Sequence, residues 1–213
     1  MKSRRLPCLG LFALCLATPA AHAQVFVEGS ALYSRFDGDG FGPKKHGLGF
    51  ALDSGWRFGT DSRHAVKLGL QSTRWSDAHP ATYQSIYGSG YSTRNLRTRF
   101  EAVTVGYELS GKLAAAWQWW LSPAAGWGRL QNEVETRTFY AYDPSLNRTS
   151  RQTAREDLQL CLQLHAGLRW QFSPRSHVRI AAGYLTKARD GDAPLPFGRL
   201  GALQLAAGLG LTF

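Results

Sequence analysis

Cysteine, methionine and long apolar runs are scarce in this chain, and each scarcity removes a class of protein. Of its three cysteines, Cys8 and Cys15 lie in the first segment, Met1–Ala23, and Cys161 stands alone after it. No intramolecular disulfide can therefore staple the body of the chain. Past that segment no run reaches the roughly 18 apolar residues that read as a membrane-spanning helix. Metal-ligand spacings and glycine-rich phosphate loops are missing as well. Acidic residues are few, 15 against 25 Lys and Arg, and the net charge is +10, of which Lys2, Arg4 and Arg5 supply three. A basic balance raises nucleic acid as a partner. An exported chain without a basic–aromatic module makes that reading improbable, and no nucleic acid partner is expected.

What is present begins with an export signal. Met1–Ala23 has a basic start, an apolar core at Leu9–Ala17 and an Ala21-His22-Ala23 cleavage site, so residues 1–23 read as a signal peptide and 24–213 as one domain. The most informative stretch is Asp157–Phe172, DLQLCLQLHAGLRWQF. Leu158, Leu160, Leu162, Leu164, Ala166, Leu168, Trp170 and Phe172 fall on one side, and Asp157, Gln159, Cys161, Gln163, His165, Gly167, Arg169 and Gln171 on the other. Only a strand sorts them so, because side chains alternate with period two. An ordinary strand runs about 5–6 residues, whereas a tilted strand crossing a bilayer needs about 9–11. This one therefore reads as a transmembrane strand with lipid on its leucine side and a polar lumen on the other.

Seven more segments alternate in the same way: Val25–Ser34, Leu48–Phe58, Val66–Thr73, Ala102–Leu109, Trp117–Gly128, Val178–Leu185 and Leu203–Phe213. The fold class is thus all-β, a transmembrane antiparallel eight-stranded up-and-down β-barrel. Long connections are expected near 37–46, 76–98, 130–156 and 187–200, with short turns between them. That alternation puts the long loops outside the cell and both chain ends in the periplasm. Trp56, Phe58, Tyr107, Trp117, Trp119, Trp170, Phe172 and Phe213 then gather on one rim, and Tyr33, Trp127 and Tyr184 toward the other, as two aromatic girdles. Pro123 lacks an N–H for its ladder, so a bulge or local defect is expected there.

The segment Leu121-Ser-Pro-Ala-Ala-Gly-Trp-Gly128 and the closing Gly208-Leu-Gly-Leu-Thr-Phe213 carry a family resemblance. The chain resembles the small eight-stranded outer-membrane barrels: the OmpA transmembrane domain, OmpX/Ail and opacity-type proteins. The resemblance implies a bacterial outer-membrane location. It also makes Phe213 the terminal aromatic by which the outer-membrane assembly machinery recognises its substrates. It leaves function open, since that group spans adhesins, structural barrels and lipid-modifying enzymes. The penultimate strand reads Ala182-Gly-Tyr-Leu-Thr186, not the His-x-Ser pair of the lipid A deacylase barrels.

An eight-stranded lumen is just wide enough for side chains to fill. Its inward residues gather Glu28, Arg57, Lys67, Glu108, Arg169 and Arg179 near the periplasmic end, with Asp53 and His165 higher. A gated ion path is one reading. A salt-bridged plug is the favoured one, because charges shielded from water must pair, and Arg57, Lys67 and Arg169 are expected to reach toward Glu108 and Glu28. Cys161 and His165 lie four residues apart, about 13–14 Å along a strand, too far for a catalytic dyad. His165 is expected as a hydrogen-bonded lumen residue. The expected interaction surface is in the loops: Tyr83, Tyr87 and Tyr91 with Arg94, Arg97 and Arg99, and Tyr140 and Tyr142 with Arg148, Arg151 and Arg155. Residues flanking the Asp143-Pro144-Ser145 turn suggest strands that run past the membrane as a hairpin. The arginines suit lipopolysaccharide phosphates or an anionic host surface. The expected protein is therefore a monomer without enzymatic activity or cofactor. It would act as a structural envelope component or through loop-mediated adhesion to a host or extracellular-matrix ligand, with outer-membrane lipid and lipopolysaccharide as partners. A narrow low-conductance channel and a lipid-modifying enzyme are the alternatives.

Overall fold

The computed structural model describes residues 24–38, 45–59, 62–85, 88–140, 143–155, 157–187 and 200–213. The expected signal peptide and most of the expected loops 37–46 and 187–200 lie outside the described residues. Nine strands are described: β1 (Gln24–Gly38), β2 (Lys45–Phe58), β3 (His64–Ser85), β4 (Gly88–Lys112), β5 (Trp117–Tyr140), β6 (Arg148–Arg155), β7 (Gln159–Gln171), β8 (Ser176–Lys187) and β9 (Leu200–Thr212). Every pairing is antiparallel. The order β4-β3-β2-β1-β9-β8-β7-β5, closed by β4 against β5, makes an eight-stranded ring with no free edge. β6 is the ninth strand and stays outside the ring, pairing with β5 alone. It continues the line of β7, and the register against β5 shifts by one residue between Arg155 and Gln159.

Alternation governs which way each side chain points. Leu160, Leu162 and Leu164 of β7, Leu68 and Leu70 of β3, Val103 and Val105 of β4 and Leu203, Leu205, Leu209 and Leu211 of β9 are all exposed, while the residues between them turn into the lumen. An apolar belt that encircles the whole ring would not persist in water, and it fits hydrocarbon. Aromatics crowd its end nearest the short turns, where Trp117 meets Trp170 at 6.3 Å and Trp170 meets Phe172 at 5.8 Å between ring centroids. Trp117 and Trp127 lie about ten residues apart on β5. That spacing is about 33 Å along the strand and about 25 Å along the normal at the usual tilt, the height of a barrel's apolar band.

The strands are unequal, and that inequality corrects one expectation. β3, β4 and β5 have 22, 25 and 24 residues, against 12 to 15 for β1, β2, β7, β8 and β9. The 76–98 stretch, expected as a long loop, is strand on both sides: β3 and β4 stay paired from Arg74 opposite Arg99 up to Ser85 opposite Gly88. Above the barrel β3, β4, β5 and β6 form a four-stranded sheet that stands on one side of the ring. Its β5–β6 connection is the turn expected at Asp143, whose Oδ1 accepts from the Ser145 backbone N–H at 2.9 Å. Pro80 sits on β3 where β2 no longer pairs with it, and an edge strand tolerates proline.

Pro123 produces a gap, not a bulge. The β4–β5 ladder skips Tyr107 and Glu108, opposite Pro123 and Ser122 respectively, and resumes in the same register at Leu109 opposite Leu121. The missing N–H costs a rung without costing alignment, because Pro123 still pairs with Leu164 on the β7 side.

Candidate functional site: a layered lumen and an arginine-rich hairpin sheet

At the end with the short turns, inward positions of β1, β2, β4, β7 and β8 converge on Glu28, which is 1% exposed. Arg57 reaches it at 3.1 Å, Arg169 at 3.0 Å and His177 at 2.8 Å, and Arg179 donates to its second oxygen. Arg169 also donates to Glu108 at 2.7 Å. Asp53 accepts from Arg179 at 3.0 Å and from Lys67 at 3.4 Å. Four cations thus share three carboxylates in one connected layer. Arrangements of this kind hold only when each charge is paired, because desolvation of a lone ion costs more than one contact returns. Trp120, turned inward and 1% exposed, roofs the layer, with Arg179 4.8 Å and Lys67 5.4 Å from the centre of its ring system.

The structure joins seven of the eight expected lumen residues: Glu28, Asp53, Arg57, Lys67, Glu108, Arg169 and Arg179. Glu28, not Glu108, is the hub, and Lys67 turns to Asp53 and not to either glutamate. His165 makes no ion pair and lies above the layer, with Nε2 3.0 Å from Gln204 Oε1. Gly183 opposite it makes room for the ring, since a methyl group there would collide with it. His177, which is not among the expected lumen residues, belongs to the network. The alternation of β8 itself carries that signal, since His177 shares parity with the inward Arg179.

Above the charges the lumen turns neutral. Gln163 donates to Gln71 at 2.7 Å across the barrel, and Gln204 to Ser34 at 3.3 Å. A mid-lumen cavity of about 20 Å³, lined in part by Asp53, Gln71 and His165, has room for about one water. Beyond it lies an apolar layer that sequence reading missed: Phe36, Trp75, Phe100, Leu130, Cys161, Leu185 and Ala202, with Ala102. Phe36 stacks on Trp75 at 4.1 Å. Each sits at an inward position near the outer end of the ring, and each taken singly looks like an exception to a polar lumen.

The loop residues separate into two faces. Arg97, Arg99, Arg151 and Arg155 lie at register positions continuous with the lipid-facing surface, whereas Arg94, Tyr140 and Arg148 lie at positions continuous with the lumen side. Tyr91 stacks on Phe139 at 4.8 Å. Tyr83 is placed on β3, and Tyr87 and Tyr142 lie outside the described residues. Arg151 holds Glu133 at 3.0 Å and Glu135 at 3.3 Å. The Arg137 guanidinium, hydrogen-bonded to Glu135, lowers the carboxyl below the usual range, with Arg151 adding to the effect. Phe213, the expected assembly signal, is 71% exposed beside β1, with its N–H donated to Val25 at 2.8 Å.

A closed ring with an apolar outer belt, aromatic rims and a packed lumen defines a transmembrane β-barrel of the small outer-membrane type. No protein-family model and no curated protein matches the chain. Solved structures do match. The crystal structure of Neisserial surface protein A aligns with a TM-score of 0.54 at 12% identity, covering 90% of this chain and 99% of that one. Ail, the attachment invasion locus protein of Yersinia pestis, aligns with a TM-score of 0.51 at 16% identity, over 90% of this chain and 99% of that one. At these identities the likeness is one of fold, and it agrees with the eight-stranded outer-membrane barrels that the sequence resembles.

Proposed function

We propose that this protein is a non-enzymatic outer-membrane barrel that works through its outside, as an envelope component whose hairpin sheet meets anionic ligands at the cell surface. In this reading Met1–Ala23 directs export, the turn end faces the periplasm, and the four-stranded sheet projects from the cell. The observation that carries it is the contrast between a filled lumen and an emphatic exterior: β5 alone continues past Trp127 for about another 40 Å of strand. The sheet is rich in guanidinium groups, which pair well with carboxylate, sulfate and phosphate. The described histidines support the non-enzymatic part, because His46, His64, His165 and His177 are already engaged, by Tyr33, Tyr107, Gln204 and Glu28.

Refolded protein in nanodiscs, passed over immobilised sulfated glycosaminoglycan and over extracellular-matrix and serum proteins, tests this. Retention that falls with salt, and falls again in an Arg94→Gln/Arg137→Gln/Arg148→Gln variant, is the expected result. Absence of salt-dependent retention on every surface would remove the adhesive part and leave a structural barrel.

A further inference from the structure

On the lipid-side face, two grooves meet at Arg99. The lower one, about 420 Å³, has a floor of Phe50, Leu70, Val103, Trp127 and Leu158, with Arg99, Glu101 and Arg129 at its rim. The upper one, also about 420 Å³, lies further toward the hairpin tips and is lined by Arg74, Arg97, Arg99 and Glu133 among others. The floor residues are exposed members of the apolar belt. On β4, Val103 and Arg99 are four residues apart, about 13 Å along the strand and about 10 Å along the normal at the usual tilt. The guanidinium groups therefore stand at headgroup height while the floor below them stays in hydrocarbon.

Charge fixes what the grooves can take. Both carboxylates are already engaged: Glu101 by Arg99 at 2.6 Å and Arg129 at 2.8 Å, and Glu133 by Arg151 at 3.0 Å. Register places Arg74 directly opposite Arg99, and Arg97 two residues further along β4. Like charges opposite one another are unfavourable on a sheet. Neither Arg74 nor Arg97 has an ion-pair partner among the described residues. A cationic cluster above an apolar trough matches an amphiphile with a multiply charged anionic head.

We propose that the paired grooves bind a phosphate-bearing lipid of the outer leaflet. One acyl chain lies along Leu70, Val103 and Trp127, and a phosphate lies against Arg74, Arg97 and Arg99. The proposal deepens the reading above, because it rests on the hairpin sheet facing outward, and it names the membrane's own lipid as one partner of that face. Arginine suits the phosphate better than lysine would, since its planar fork bonds two oxygens at once.

Native mass spectrometry of the refolded barrel, released from phosphatidylcholine nanodiscs doped with a diphosphorylated glucosamine-based glycolipid, reads this directly. One glycolipid should stay bound, and a dephosphorylated form of it should be retained at least about tenfold less. Arg74→Gln/Arg97→Gln should lose the phosphorylated lipid to the same extent. Leu70→Asn should weaken retention of both forms, and millimolar inorganic phosphate should displace neither. Both arginines are exposed, so heat-modifiable gel mobility of the variant should match wild type. Equal retention of the two glycolipids, or unchanged retention by the double variant, would overturn the site while leaving a folded membrane barrel. Failure of wild type to enter nanodiscs at all would instead overturn the membrane reading beneath it.

Discussion

At one end of the lumen Arg57, Arg169, Arg179 and His177 crowd around a single carboxylate, Glu28. At the other, Phe36, Trp75, Phe100, Leu130 and Leu185 occupy the same inward positions with hydrocarbon. Both layers fill space between the same strands, but they should fail differently. In the charged layer each member is tolerable only because the others are there, so loss of one exposes several. In the apolar layer the loss scales with the volume removed, and neighbours can partly close over the gap.

The largest effect should come from Glu28→Ala, which leaves Arg57 without a carboxylate, reduces Arg169 and Arg179 to one each, and takes the partner of the His177 imidazole. A loss of about 3–5 kcal/mol in unfolding free energy is expected, as for a broken buried ion pair. Chemical denaturation of the refolded barrel measures it, and a loss no greater than that of Glu108→Ala would dissolve the hub. Phe36→Ala should come next, at about 3 kcal/mol for a buried aromatic truncated to methyl. Phe36 and Glu28 both point inward from β1 and lie about 26 Å apart along it, so the two losses should add within about 0.5 kcal/mol. Glu28→Ala combined with Arg179→Ala should fall well short of additive. Coupling between Phe36 and Glu28 as strong as that between Glu28 and Arg179 would erase the distinction between the layers.

Glu108→Ala should cost less, about 1–3 kcal/mol, because Glu108 takes one guanidinium through one oxygen and its Oε2 has no partner among the described residues. Glu108→Gln, which keeps an acceptor for Arg169, should cost less again.

The smallest effect concerns the hairpin sheet, where water screens the charges. Glu135 is held below the usual carboxylate range by Arg137 and then Arg151. A carboxyl lowered by folding contributes its stabilisation above its unfolded value, and loses it as pH falls through the lowered one. The β5–β6 amide signals in NMR should therefore hold steady from neutral pH down to about pH 4 and shift only below it. Arg137→Gln should move that midpoint upward, and a midpoint already at the ordinary value in wild type would contradict the pairing.

Period-two alternation revealed the ring because one face of every ring strand meets lipid, and lipid imposes a strict pattern on sequences such as Leu158–Phe172. Above the membrane both faces are wet, so the Ser- and Tyr-rich 76–98 stretch carries no such pattern and reads as a loop, although its backbone ladder is continuous. The charged layer was legible as a set, because inward parity can be counted. Its hub was not, since the question of which carboxylate three arginines share depends on stagger between strands that are distant in sequence. Phe36, Phe100 and Leu130 were hidden by the expectation of a polar lumen, which small barrels need not obey when side chains fill them completely. Trp120 was visible as an inward residue, but only the fold brings it over Arg179 and Lys67.

In the proposed function these two layers close the barrel and leave its work to the outside. Single-channel recording of refolded wild type in a planar bilayer tests it most directly. A silent membrane is expected, with brief irregular openings appearing only when Glu28→Ala and Phe36→Ala are combined. Steady open-channel steps in wild type, unchanged by either substitution, would contradict it.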